Sequence, residues 1–327
     1  MATDTNPYRP DYAVPPGWIL EERLKSHGMS HAELARRCGR STKLISEIVA
    51  GKASLEPETA LQFEKVLGVD ADIWIGIEAD YRLDRARKIE AEAGFSAAWA
   101  RSFPVASLVR RGCFERPVSE ADTAIKLLTF FGVASVDAWA RRYGLANGAY
   151  QCSSNCMDDE AMLATWLRLG EIGAERQDCA DYTVTGFRRA LREIRGLTGE
   201  PATESLRQAA TLCNENGVAL ALVPPLPKSV LTAAARWLSP RKAVIQLSTR
   251  YKSDGRLWFG FFHEAAHILF HSKKKIFVDA RHKDDAGIEA EANEWALSQL
   301  NSQQTGDGMP TYRRAARPSI PRWTGTG

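Results

Sequence analysis

The sequence predicts a mainly α chain with a small α+β domain: a five-helix helix-turn-helix domain first, a helical middle, and a C-terminal domain built on a short β-sheet. Three observations point there. Short capped helical signals crowd residues 16–87, apolar residues recur at three- and four-residue spacings through 88–200, and β-rich runs such as VALALV and AVIQLS first occur after about Pro201. At 327 residues the chain is also too long for one core of ordinary size, so several domains are expected.

The elements follow in order. Residues 1–15 read as an extended, proline-marked arm, and 16–87 as the helix-turn-helix domain. Ser30 with Glu33 makes a capping box for the helix SHAELARRC, which Gly39 ends. Ser41 caps STKLISEIVAG, which Gly51 closes. Glu56-Pro57-Glu58 opens another helix, with proline at the first helical position and acids beside the positive end of the dipole. Asp70 or Asp72 starts a longer one through Arg87. Residues 88–200, with segments such as EADTAIKLLTFFG and EAMLATWLRLGEIGAE, read as a helical connector or oligomerisation region. Within 201–300, ESLRQAATLCNENG is a helix, VALALVPPLP a strand stopped by prolines, and AARWL and AVIQLS a hairpin turning at Ser239–Lys242. Helices are expected over about 256–271 and 286–300, and a disordered tail over 301–327.

Composition narrows the function classes. Hydrophobic residues at 44% and charged residues at 25% exclude a disordered or fibrous chain. A formal charge of +3 does not advertise nucleic acid, so any DNA-binding surface must be a local patch. No apolar run approaches the ~18 residues needed to span a bilayer, and MATDTNPYRPDYAVPPGW lacks a signal-peptide pattern, so a cytoplasmic protein with no membrane partner is expected. The six cysteines are scattered and form no disulfide framework. Cys152 and Cys156 have C-x-x-x-C spacing but no second Cys/His pair nearby, and read as ordinary thiols.

In the first domain Leu34, Ala35, Leu44, Ile45 and Ile48 fall at core spacings and fix the angle between two short helices. The remaining face of the second helix offers Arg40, Ser41, Thr42, Lys43, Ser46 and Glu47, with Lys52 just beyond: short polar or basic groups where base edges and phosphates would lie. From Arg36 to Lys52 five basic residues (Arg36, Arg37, Arg40, Lys43, Lys52) against Glu47 give a local +4. A small bundle with a merely solvated basic face, or one that contacts protein, is the alternative. The run Tyr8–Arg87, with Pro16-Gly17, MSHAELARRCGRSTKLISEIVAGKASLEPETALQFEKVLG and Asp72-Ile73-Trp74 leading to Tyr81, resembles HigA-type antitoxin domains of the XRE/Cro-repressor superfamily. That resemblance implies a Cro/repressor-like fold, a homodimer and a palindromic double-stranded DNA operator. Trp74 and Tyr81 read as core or dimer packing.

His263-Glu264-Ala265-Ala266-His267 carries the sharpest chemical signal. Positions i and i+4 of a helix lie about 40° apart in rotation, so both imidazoles face one way and can grip one Zn²⁺. Glu264 sits at the edge of that face, placed to take a proton as general base from water that zinc acidifies toward pKa ~7. His271 continues the series, but eight residues of straight helix span about 12 Å, too far to share an ion; it reads as a neighbour of the ligands or as packing. The strand before the motif is expected to offer substrate an edge to pair with. The third ligand should come from the acid-rich stretch Glu289-Ala290-Glu291-Ala292-Asn293-Glu294-Trp295-Ala296.

HEAAHILFH with EAEANEWA resembles the ImmA/IrrE family of zinc metallopeptidases, over about Pro201–Leu300. The resemblance implies a zincin-like metallopeptidase fold, with Glu289 as the third ligand beside His263 and His267, Glu291 as the next choice, and a protein substrate. The family's second motif continues into Leu-Leu-x-Pro, where this chain has Gln299-Leu300-Asn301-Ser302. Together these imply a DNA-binding, antitoxin-like regulator whose zinc metallopeptidase domain cleaves a partner such as a repressor. The alternative is a non-enzymatic antitoxin whose zinc domain senses, or clamps a cognate toxin.

Overall fold

The computed structural model describes residues 13–92, 97–144, 150–152, 159–200, 202–250, 254–280 and 287–301. The chain divides into two compact units, Met1–Gly94 and Phe95–Gly327. Most of the expected arm, the tail from 302 onward, and Cys156 lie outside the described residues.

The first unit holds five helices: α1 (Pro16–Ser26), α2 (His31–Cys38), α3 (Thr42–Val49), α4 (Pro57–Leu67) and α5 (Ala71–Glu92). The caps form as the side chains require. Ser30 Oγ accepts from Glu33 N at 3.2 Å, and Ser41 Oγ accepts from Leu44 N at 3.2 Å. Gly39 turns left-handed at φ 63°, where a Cβ would be strained, and so separates α2 from α3. Leu20, Leu34, Ile45, Ile48, Phe63 and Trp74 form the buried centre, with Leu44 partly buried against it. Trp74 is core, edge-on to Phe63 at 5.6 Å, and the Tyr81 hydroxyl lies against Gly51. Gly17 touches the backbone of α3, and a Cβ there would overlap the Val49 carbonyl. Gly17→Ala is therefore expected to destabilise this unit by about 1–3 kcal/mol, read as a lower denaturant midpoint.

The second unit opens with α6 (Ala97–Arg101), α7 (Val105–Arg110), α8 (Glu120–Phe131), α9 (Val136–Tyr143), β1 (Tyr150–Cys152) and α10 (Glu160–Glu175). It continues through α11 (Val184–Gly196), α12 (Ala202–Asn214), β2 (Val218–Val223), β3 (Leu231–Ser239), β4 (Lys242–Ser248), α13 (Asp254–Phe270), β5 (Ile276–Ala280) and α14 (Ile288–Asn301). By length and composition alone Glu120–Tyr143 passes for a membrane span. Gly132, at φ 65°, breaks the stretch into α8 and α9, whose Phe130, Phe131, Trp139 and Tyr143 enter a buried aromatic cluster.

The sheet runs β1-β5-β3-β4-β2, with β3 antiparallel to both neighbours and the outer pairs parallel. Side chains alternate across it. Ala233, Ala235, Ile245 and Leu247 meet α11–α14, while Ala234 and Val278 meet the cluster from α6–α10. Both faces are covered, which is why VALALV is apolar without alternation. The hairpin turns at Ser239–Lys242 as expected.

Two features differ from the sequence expectation. The strand before the motif, β4, is paired on both sides, by β3 and β2, so it has no free edge for substrate. The helical middle joins the C-terminal elements in one unit instead of standing apart at 88–200, because α10 lies on the sheet. Arg236 Nη2 donates to Leu167 O at 2.6 Å, and Gln246 Nε2 to Trp166 O at 2.7 Å. Gly170, one turn along, leaves room for the Gln246 side chain that any Cβ would strike.

Candidate metal centre and candidate nucleic-acid interface

Helix α13 is apolar on nearly every side, and its residues from Leu257 to Ile268 are almost all buried. His263, Glu264 and His267 are 3%, 0% and 1% exposed, an expensive placement for polar groups unless they are paired or hold an ion. Helix α14 brings Glu289 against them. Glu289, Ala292 and Ala296 recur at helical spacing; the two alanines are fully buried, and small side chains let the helices approach closely. Trp295 packs edge-on to Phe262 at 6.2 Å and to Phe270 at 5.7 Å, setting the rotation of α14 about its axis. Glu289 itself stands in the first turn, where the helix dipole favours a carboxylate.

His263 Nε2 and His267 Nε2 are 3.0 Å apart, and Glu289 carboxylate oxygens lie 3.2 Å from the first and 3.7 Å from the second. Two ligands bonded at ~2.1 Å to one tetrahedral ion stand ~3.4 Å apart, a value these distances bracket. One ligand atom from each residue falls within 4.8 Å of the others, so the three form a group that could hold a metal ion. Its electrostatics suit that. Burial lowers the His267 pKa to about 4, leaving the imidazole neutral at pH 7. Burial alone would raise Glu289, but hydrogen bonds from His263 and His267 outweigh it and bring its pKa down to about 2. Two imidazoles and one carboxylate make a donor set appropriate to a divalent ion.

His271 does not join the three. Its Nδ1 is 2.8 Å from His267 Nδ1, and its Nε2 is 3.4 Å from Glu291 Oε2, so Glu291 faces His271. Phe277 of β5, absent from the sequence reading, stacks on the His267 ring at 4.2 Å between centroids and 11° between planes. Phe259 stacks on His263 at 6.0 Å. Phe259 lies four residues before His263, a spacing that could have been noticed; Phe277 comes from a strand the sequence did not signal.

In the first unit Ser41, Thr42, Lys43, Ser46 and Lys52 are exposed, while Arg40 and Glu47 are half-buried. Arg40 Nε donates to Gln62 Oε1 on α4 at 2.8 Å, so its guanidinium is partly engaged in joining helices. Lys43 and Glu47 stand 3.8 Å apart as an exposed ion pair, of little energetic weight. Arg36 and Arg37 clasp Glu33 at 2.6 and 2.7 Å, and their hydrogen bonds lower the Glu33 pKa. Counting Glu33 takes the local charge from +4 to +3, still a cationic face on a chain of near-balanced charge.

Two family models match. A helix-turn-helix model covers residues 20–74, and an IrrE N-terminal-like domain model covers residues 227–300, which include β3, β4, α13, β5 and most of α14. An uncharacterized HTH-type transcriptional regulator of Escherichia coli K12, YddM, is 32% identical over 73 residues, which are 22% of this chain and 78% of that protein. Virulence-associated protein I of Dichelobacter nodosus is 36% identical over 77 residues, 23% of this chain and 71% of that one. Among solved structures, the Pseudomonas aeruginosa antitoxin HigA with the higBA promoter is similar at 24% identity and a TM-score of 0.24, over 25% of this chain and 90% of that one. Through its first domain the chain belongs to the helix-turn-helix regulators, and to that domain it joins a C-terminal IrrE N-terminal-like, peptidase-type domain with a candidate metal centre.

Proposed function

We propose that this chain is a cytoplasmic transcriptional regulator that binds a double-stranded operator as a homodimer and cleaves a protein partner, such as a repressor, with a zinc-dependent metallopeptidase domain. The observation that carries the hydrolytic half is the convergence of His263, His267 and Glu289 on one small volume, with Glu264 buried beside them on the same helix. His263, His267 and Glu289 would hold zinc. A bound zinc supplies Lewis-acid chemistry, polarising a carbonyl and easing proton loss from water. Glu264 takes that proton and returns it to the leaving amine. The test is incubation of the zinc-loaded full chain with candidate repressors and toxins, followed by mass spectrometry of the products. Cleavage abolished by chelation supports the reading; intact partners at every ratio, with zinc bound, count against it.

Burial of both histidines and Glu264 favours a second reading, in which zinc only braces a sensor or toxin-binding module. Stoichiometric complex formation with an uncleaved toxin would establish it.

For the DNA half, Arg40, Ser41, Thr42, Lys43, Ser46, Glu47 and Lys52 form the proposed contact face. Lys43 is the residue to change, because it is the one cation of α3, is exposed, and takes no part in the core. Lys43→Ala is expected to weaken binding to the chain's own promoter and to reduce the slope of log affinity against log salt by about 1. An unchanged slope would remove Lys43 from the contact face.

A further inference from the structure

We infer that His271 and Glu291 form a positioning pair that fixes the tautomer of His267 and so presents its Nε2 lone pair to the metal. This rests on the metal-centre reading above but not on peptidase activity.

An imidazole that donates its Nε2 lone pair to an ion must carry its proton on Nδ1, and that proton needs an acceptor. Among the described residues, His271 Nδ1 lies within hydrogen-bond reach of His267 Nδ1, 2.8 Å away. Of two nitrogens at that distance one must carry the hydrogen. If His271 accepts there, its own proton sits on Nε2, directed at Glu291 Oε2 at 3.4 Å. In the opposite arrangement His271 donates, leaving its bare Nε2 lone pair facing a carboxylate, and His267 Nε2 carries a hydrogen where the ion should bind. With an ion on the His267 Nε2 lone pair only the first arrangement is open, and the Glu291 charge supports it along the whole chain of contacts, from a largely exposed carboxylate to a ring 1% exposed. Phe277, stacked flat on His267, holds the ring plane, so the hydrogen bond sets only which nitrogen is protonated. His263 has no such support. Its Nδ1 has no hydrogen-bond partner among the described residues, and Phe259 stacks on the ring. The two ligand histidines are thus unequal, and His267 is the one with an assigned proton.

Zinc affinity of the full chain, measured by chelator competition, tests this without any substrate. His271→Phe keeps a ring and removes the acceptor; affinity should fall about 10–100-fold. His271→Asn can place its side-chain oxygen where Nδ1 was, and should hold affinity within several-fold of wild type. Glu291→Gln removes the charge and should fall between the two. The cobalt(II)-substituted protein should show an altered visible absorption spectrum in His271→Phe and a near-wild-type one in His271→Asn. Wild-type affinity in folded His271→Phe overturns the inference, and so does equal weakening by Phe and Asn, which would make His271 packing alone. Wild-type protein that binds zinc yet cleaves nothing sinks the peptidase proposal and leaves this one standing.

Discussion

His267→Ala is expected to leave the purified chain without stoichiometric zinc after gel filtration. A structural zinc site is worth about 10–16 kcal/mol over four ligands, so losing one ligand costs roughly 3–4 kcal/mol, or about 10²–10³-fold in affinity. His267 should sit at the upper end, for it does three things at once. It supplies Nε2 to the cluster, stacks on Phe277, and bonds to His271. The truncation also opens a void under β5, so a thermal melt of the metal-free protein should accompany the metal analysis. Wild-type zinc content in the folded variant would remove His267 from the ligand set.

Acid should act on the same residue. The metal-free folded state keeps His267 neutral down to about pH 4, whereas the unfolded chain protonates it near 6.5. Between those values the unfolded state binds more protons, so stability of the C-terminal unit falls as pH drops through that window, by up to about 3 kcal/mol. Glu289 adds a second loss lower down, between its ordinary value of 4.5 and about 2, as pH falls. At neutral pH neither His267 nor Glu289 holds a proton that zinc must displace, and zinc retention should persist well below pH 6.5. Zinc release with a midpoint near 6.5 would contradict the buried, neutral assignment of His267.

The elements legible in the sequence are those governed by local chemistry. Ser30, Gly39 and Ser41 mark helix ends because their side chains or missing Cβ act within a few residues, and the structure has them doing so. The pairing of His263 with His267 is legible for the same reason, a four-residue spacing on one helix. Glu289 over Glu291 is different. Both sit in the first turn of α14, and only resemblance separated them; in space one faces the two histidines and the other faces His271. What the sequence concealed depends on distant partners. The apolar pattern of α10 says that it is buried but not against what, so its place on the sheet, with Gly170 opposite Gln246, had no local signal. β5 escaped because five residues after a lysine-rich turn are too few to display periodicity, and Phe277 went with it.

Glu264→Gln should separate holding zinc from using it. Glutamine matches the glutamate in shape, so it leaves no cavity at a position 0% exposed, and the ligands His263, His267 and Glu289 are untouched. It cannot take up and return a proton, which removes a contribution of about 10²–10⁴ to the rate. Replacing a buried carboxylate by a neutral amide also relieves a desolvation cost, so the variant should melt at the same temperature as wild type or higher. The expected combination is thus full zinc content, equal or greater stability, and partner cleavage reduced by about 10²–10⁴. A structural glutamate gives another combination: the amide would disturb its contacts and lower the melting temperature, with cleavage falling only as the folded fraction falls. Equal cleavage by the two proteins at equal zinc content would take Glu264 out of the chemistry, leaving a metal centre whose neighbouring acid serves only to fill space on α13.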